Sequence, residues 1–133
     1  MPLHDLSKLH SLAAELRDRA HAPYSGFTVG AALITTSKRV FSGCNVENLS
    51  YPEGVCAETS AISAMVAAGE ASIVELVVLG GPKGGAPKPC APCGGCRQRI
   101  FEFSTPETTV HFIGNGGELY ARTIAELLPN AFS

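Results

Sequence analysis

Residues 27–35 read Phe-Thr-Val-Gly-Ala-Ala-Leu-Ile-Thr, apolar on both alternating faces. A strand of that composition has no face to offer water, so it belongs inside a covered sheet. Thr36-Ser37-Lys38 read as a turn, and residues 39–46 as the antiparallel partner strand. A third strand is expected at 72–80 and a fourth near 108–113. Leu6, Leu9, Leu12, Ala13, Leu16 and Ala20 recur at helical spacing, which predicts an amphipathic helix over 5–20. Further helices are expected from about Cys56 to Ala68 and from Cys93 to Phe103, with loops at 47–55 and 81–92. A hairpin-like segment at 114–117 leads to a last strand or helix ending at Leu127-Leu128-Pro129. After the opening helix and hairpin, strands and helices alternate, which implies an α/β sheet covered by helices. No repeat or linker divides the 133 residues, so residues 1–133 are expected to form one domain.

Charge narrows the function. The net charge is −2, and Lys and Arg are scattered without interleaved aromatics. A polynucleotide grip needs a concentrated basic face, so a small-molecule substrate is expected and no nucleic-acid partner. No apolar run is long enough to span a membrane and no basic leader opens the chain, so a cytoplasmic protein without membrane attachment is expected. Five cysteines, three of them within residues 90–96, then read as metal-binding rather than as a disulfide framework.

Two segments carry the chemistry, and each opens an expected helix: Cys56-Ala57-Glu58, and Pro92-Cys93-Gly94-Gly95-Cys96-Arg97-Gln98. A catalytic zinc takes three protein ligands and keeps a fourth position for water. A Cys-x-x-Cys pair on one first turn, with a cysteine from a neighbouring helix, would supply three, and both helix N-termini favour thiolates. By spacing alone, either Cys90/Cys93 or Cys93/Cys96 would serve as the pair. Glu58 stands two residues after Cys56, beside the metal without ligating it. Zinc can lower the pKa of a water to about 7, and a glutamate there can carry its proton to a ring nitrogen and then to a leaving amine. Taken singly, Glu58 reads as a solvated helix residue, Phe27 as core, and Asn45 and Glu47 as polar residues at a strand end. His4, His10, His21 and His111 lie far from both segments in sequence and receive no ligand role; His21 reads as a dipole contact near the end of the first helix.

The pattern Cys-x-Glu followed by Pro-Cys-x-x-Cys is that of the zinc-dependent deaminases, with Cys as first ligand. The chain resembles the short, homotetrameric cytidine deaminases over nearly its whole length. The resemblance is carried by residues 23–33 (Pro-Tyr-Ser-Gly-Phe-Thr-Val-Gly-Ala-Ala-Leu), 43–48 (Gly-Cys-Asn-Val-Glu-Asn), both cysteine segments and the tail at 127–132 (Leu-Leu-Pro-Asn-Ala-Phe). It implies a three-layer α/β/α fold with a mixed five-stranded sheet. It selects Cys56, Cys93 and Cys96 as ligands to one zinc per subunit, with Glu58 as proton shuttle. It implies that Phe27 packs on the pyrimidine, that Asn45 and Glu47 bond the ribose, and that the Ala57 backbone and the Glu58 carboxyl read the base edge. Tyr51 and Phe132 would be offered to a neighbouring subunit, with active sites at the interfaces of a homotetramer. The implied reaction is hydrolysis of cytidine and deoxycytidine to uridine and deoxyuridine.

Thr59 departs from the family, many of whose members carry Arg there to offset thiolate charge. The helix dipoles and Arg97 are expected to compensate. Cys90 is an extra cysteine, and Cys90→Ser is expected to keep zinc. Three other readings exist. Deaminases of modified aminopyrimidines such as blasticidin S lack the Asn-x-Glu-Asn segment found here at 45–48. A polynucleotide deaminase would need a basic groove. A structural zinc domain would need a fourth ligand, Cys90 or Cys44.

Overall fold

In the computed structural model, which describes residues 3–133, five strands form one sheet in the order β2-β1-β3-β4-β5. Helix α1 (Leu3–Arg17) precedes β1 (Phe27–Thr35) and β2 (Val40–Cys44). Helix α2 (Ala57–Ala67), strand β3 (Ile73–Pro82), helix α3 (Gly94–Glu102) and strand β4 (Ser104–Ile113) alternate. Strand β5 (Leu119–Thr123) and a short α4 (Ile124–Leu127) close the chain. Only β3 and β4 run parallel, joined through α3; the other pairs are antiparallel. The sheet is therefore mixed, as expected.

Central β1 is buried almost throughout, because its two faces feed two cores. Ala32 and Ile34 join Val77 and Leu79 of β3 against Leu9 and Ala13 of α1. Ala31 and Leu33 face the other way, with Leu76, Val78 and Val110, against Ala61 and Met65 of α2 and Ile100 of α3. The result is three layers: α1, the sheet, and α2 with α3 and α4.

Glycines permit two close approaches. A Cβ on Gly30 would stand 1.9 Å from Ala13 O of α1, and one on Gly43 would stand 2.5 Å from Ala61 N of α2. Without side chains there, each helix backbone lies directly on the sheet. Gly43 thereby fixes the height of α2, and with it Cys56 and Glu58.

The boundaries differ from expectation in instructive ways. Helix α1 stops at Arg17 rather than residue 20. Three successive bonds from N–H to the carbonyl three residues back tighten the chain there. Arg17 is buried, and its guanidinium donates to the carbonyls of Thr28, Pro82 and Gly85. His21 is consequently outside the helix, bridged to Val46. Strand β4 begins at 104 rather than 108, because Ser104 pairs with Ile73 and the buried Thr108 hydroxyl donates to Ile73 O at 2.6 Å. The chain end holds both a strand and a helix. Helix α4 is closed by a reciprocal capping box between Thr123 and Glu126.

Candidate active site

Helices α2 and α3 begin at the same place. Cys56 is the N-cap of α2 and Cys93 the N-cap of α3, both in extended backbone conformation, and neither thiol caps its helix. Ser, Thr, Asp or Asn would stabilise such ends better. A cysteine there leaves first-turn N–H groups without a side-chain cap and places sulfur where the dipole favours thiolate. Cys96 lies one turn into α3 and is buried.

The three Sγ atoms lie within 4.8 Å of one another. Three sulfurs at about 2.3 Å from a tetrahedral zinc stand about 3.8 Å apart, so this cluster fits the ion with little adjustment. Their protonation shows the same convergence. Hydrogen bonding from Cys96 above all, and from Cys93, brings the Cys56 thiol down to about 6, and the same bond holds Cys96 well above the usual thiol range. Among the described residues no other His, Cys, Asp or Glu joins the cluster. Neither Cys44 nor Cys90 completes a four-sulfur shell. A three-ligand site with one open position is the catalytic arrangement, not the structural one.

Glu58 is 4% exposed and sits in the first turn of α2. Burial, reinforced by charge at Cys56, pushes its carboxyl up to about 7. A carboxyl poised near neutrality beside the cluster can both accept and return a proton.

Above this floor opens a cavity of about 320 Å³. Glu58, Ala57, Cys56 and Cys93 line its base; Asn45, Glu47 and Tyr51 line its side. Asn45 is held at both ends of its amide: Oδ1 accepts from Val29 N at 2.8 Å and Nδ2 donates to Phe27 O at 3.0 Å. One N–H and one lone pair remain for another partner. Glu47 accepts from the backbone N–H groups of Tyr24 and Ser25 and from the Ser25 hydroxyl, which hold its carboxylate below the ordinary range.

The remaining expected residues are dispersed. Phe27 does not line the cavity; its ring lies against Gly80, where a Cβ would meet Cε2 at 2.9 Å. Cys90 Sγ closes on the same glycine and does line the cavity, with its thiol pushed up to about 11 by burial. Tyr51 is 74% exposed and packs edge-to-face on Tyr24. Phe132 is 85% exposed, although its carbonyl accepts from Gln98 Nε2 on α3. Arg97 donates to Pro92 O at 2.8 Å and Leu127 O at 2.9 Å. It ties the cysteine loop to the chain end. Roles that the sequence did not assign include Cys90 as pocket wall and Tyr24 with Ser25 as holders of Glu47. The place of Tyr24 and Ser25 in the segment 23–33 that carries the resemblance was the available signal for the latter.

Residues 3–112 match the family model for the cytidine and deoxycytidylate deaminase zinc-binding region. The chain is 39% identical to a cytidine deaminase of Sporosarcina psychrophila, over 97% of this chain and 92% of that one. It is similar to the crystal structure of cytidine deaminase from Burkholderia pseudomallei (TM-score 0.84, 40% identity, 99% of this chain and all of that one). It is similar also to the enzyme structure from Mycobacterium tuberculosis (TM-score 0.82, 34% identity, 97% and 98% covered).

Proposed function

The chain belongs to the cytidine and deoxycytidylate deaminase family, and we propose that it hydrolyses the 4-amino group of free cytidine and deoxycytidine, giving uridine or deoxyuridine and ammonia. One observation carries the reading: a buried carboxyl, Glu58, standing beside three converging thiols at the foot of a nucleoside-sized cavity.

Cys56, Cys93 and Cys96 would hold one zinc per subunit, which would supply the Lewis acidity that makes water a nucleophile near neutral pH. Glu58 takes the proton of the attacking water and delivers it to N3 of the pyrimidine as the C4–O bond forms. It then passes the second proton of that oxygen to the amine as the C4–N bond breaks, and ammonia leaves. The water supplies the oxygen of the product, so the balance is cytidine plus water to uridine plus ammonia. No organic cofactor enters.

Binding falls to the cavity wall. The remaining N–H of Asn45 and the Glu47 carboxylate bond ribose hydroxyls, which favours nucleosides over free bases, because unpaired polar groups penalise a substrate lacking them. The Ala57 backbone and the Glu58 carboxyl read the base edge, and Phe27 packs on the base after a small shift toward the cavity. Exposed Tyr51 and Phe132 are offered to neighbouring subunits of a homotetramer, whose active sites lie at the interfaces. Residues 1–133 act as one domain, in the cytoplasm, in pyrimidine salvage. Among the described residues no helix is long and apolar enough to cross a membrane.

The test is direct. Purified zinc-loaded protein is mixed with cytidine and the loss of its ultraviolet absorbance followed. Zinc-dependent conversion to uridine supports the reading. A folded, zinc-loaded protein that leaves cytidine and deoxycytidine unchanged sinks it.

A further inference from the structure

One stretch of the cavity wall has no part in metal binding, proton transfer or ribose binding. It comes from the chain between β3 and α3, which runs back across the end of the sheet. Lys88 donates its N–H to Gly80 O at 2.8 Å, and Cys90 donates its N–H to Ile113 O at 2.9 Å. One backbone bond to β3 and one to β4 thus hold Cys90 in place. Its side chain rests on Gly80. A Cβ on that glycine would stand 2.6 Å from Cys90 Sγ and 2.9 Å from Phe27 Cε2, so thiol and ring share one seat on β3. Only a residue without a side chain leaves that seat free. The half-buried Cys90 lines the cavity, and among the described residues it belongs to no metal-ligating cluster.

The sheet order fixes which side of the cavity this is. Asn45 and Glu47 follow β2, at one edge of the sheet, and Cys90 lies over β3 and β4, on the far side of β1. Ala57 and Glu58 enter from the first turn of α2, which packs chiefly on β2. A cytosine ring has three edges to place. N1 carries the sugar, N3 and O2 exchange hydrogen bonds, and C5–C6 offers only C–H. With the sugar at Asn45 and Glu47, and N3 at Glu58, the C5–C6 edge falls to the wall at Cys90. A buried thiol behaves as a small, soft apolar group, which suits a carbon edge. A substituent on C5 would point at it.

We propose that Cys90 is a specificity-determining residue: its side chain, seated on Gly80, sets the room beside C5 of the pyrimidine and so decides which 5-substituted cytidines the cavity accepts. The inference rests on the deaminase reading above. Because the backbone is tied to both strands, a change of side chain at this position alters the space beside the base without moving the chain.

The experiment measures kcat/KM for cytidine and for 5-methylcytidine with wild type, Cys90→Ala and Cys90→Ile, and reads the ratio of 5-methylcytidine to cytidine for each protein. Both substrates are assayed on one preparation, so a partly unfolded or zinc-poor fraction cancels from the ratio. A single methyl group in an apolar pocket changes discrimination by about ten-fold or more. Cys90→Ala, which opens the wall, is therefore expected to raise the ratio about ten-fold, and Cys90→Ile, which fills it, to lower it about ten-fold. Where Cys90→Ile fails to fold, Cys90→Val takes its place with the same direction expected. A ratio within about two-fold of wild type in either variant, or a shift in the same direction in both, overturns the proposal. A wild-type protein that leaves cytidine intact sinks the functional reading first, and is seen before any variant is compared.

Discussion

The two walls of the cavity are built on different principles. The floor is made by the first turns of α2 and α3, whose helices are packed against the sheet core, and its acid, Glu58, is 4% exposed. The side wall and its rim come largely from the segment after β2, where Asn45, Glu47 and Tyr51 line the cavity and Tyr51 is 74% exposed. The floor is complete within one chain. Leu49, close to Tyr51 in sequence, and Phe132 at the chain end are 78% and 85% exposed. Reacting groups require fixed geometry, which packed helix ends supply.

If the floor is self-contained, its variants fail in chemistry without failing in assembly. Cys96→Ser should show the largest effect, with loss of stoichiometric zinc by metal analysis and of activity down to background. Glu58→Gln should keep one zinc per chain and the native melting behaviour, yet lower kcat by about 10²- to 10⁴-fold. Retention of near-native kcat would remove Glu58 from the mechanism.

The floor also predicts a pH signature in metal-free protein. Glu58 has a raised folded-state pKa, so the folded state holds its proton more tightly than the unfolded state. That contribution is complete below about pH 4.5 and disappears as pH rises through about 7. Wild type should therefore lose about 2–3 kcal/mol relative to Glu58→Gln across that window, in denaturant titrations at each pH. Parallel stability curves for the two proteins would contradict the burial assigned to Glu58.

The side wall should respond differently. Asn45→Ala orphans Val29 N–H and Phe27 O, a loss of about 1–3 kcal/mol of stability in thermal or denaturant unfolding. Its KM for cytidine should rise as well. Tyr51→Ala and Phe132→Ala are expected to leave zinc content and the subunit fold intact. They should raise KM and weaken self-association in sedimentation, each by about 1–2 kcal/mol. If both leave KM and association unchanged, the rim is not completed by a second copy. Cys90→Ser should give the smallest effect: unchanged zinc, and a stability change of about 1 kcal/mol from a hydroxyl in a half-buried wall.

Much of this architecture is legible along the chain. The doubly apolar run at 27–35 coincides with β1 residue for residue, because burial on both faces erases alternation in a way no exposed strand does. The helix starts at Ala57 and Gly94 fall within one residue of expectation, since Cys56 and Cys93 are followed by helix-compatible spacing and preceded by Pro/Gly loops. The stop of α1 was not legible. Arg17 ends the helix by reaching carbonyls 11 to 68 residues away, and no local propensity encodes such partners. The early start of β4 was hidden for the same reason, because Thr108 reaches back to Ile73.

The sequence by itself determined the chemistry: which residue types are present, the spacing that puts Cys93 and Cys96 on one turn, and Glu58 two residues after Cys56. Those relations are local, and helix geometry converts them directly into positions. Spacing alone left the overlapping cysteine pairs open; the family resemblance chose Cys93 with Cys96, and the tertiary structure brings those two together with Cys56. Cys90 donates its N–H to Ile113 O and turns its sulfur onto Gly80, while Cys56 arrives from a separate helix to meet Cys93 and Cys96. Only the tertiary structure decided that Arg97 would bind carbonyls and Arg99 would lie beside Gly95. Two arginines two residues apart are equivalent in composition. What separates them is the direction each side chain leaves the helix and what the sheet and the chain end have already placed there.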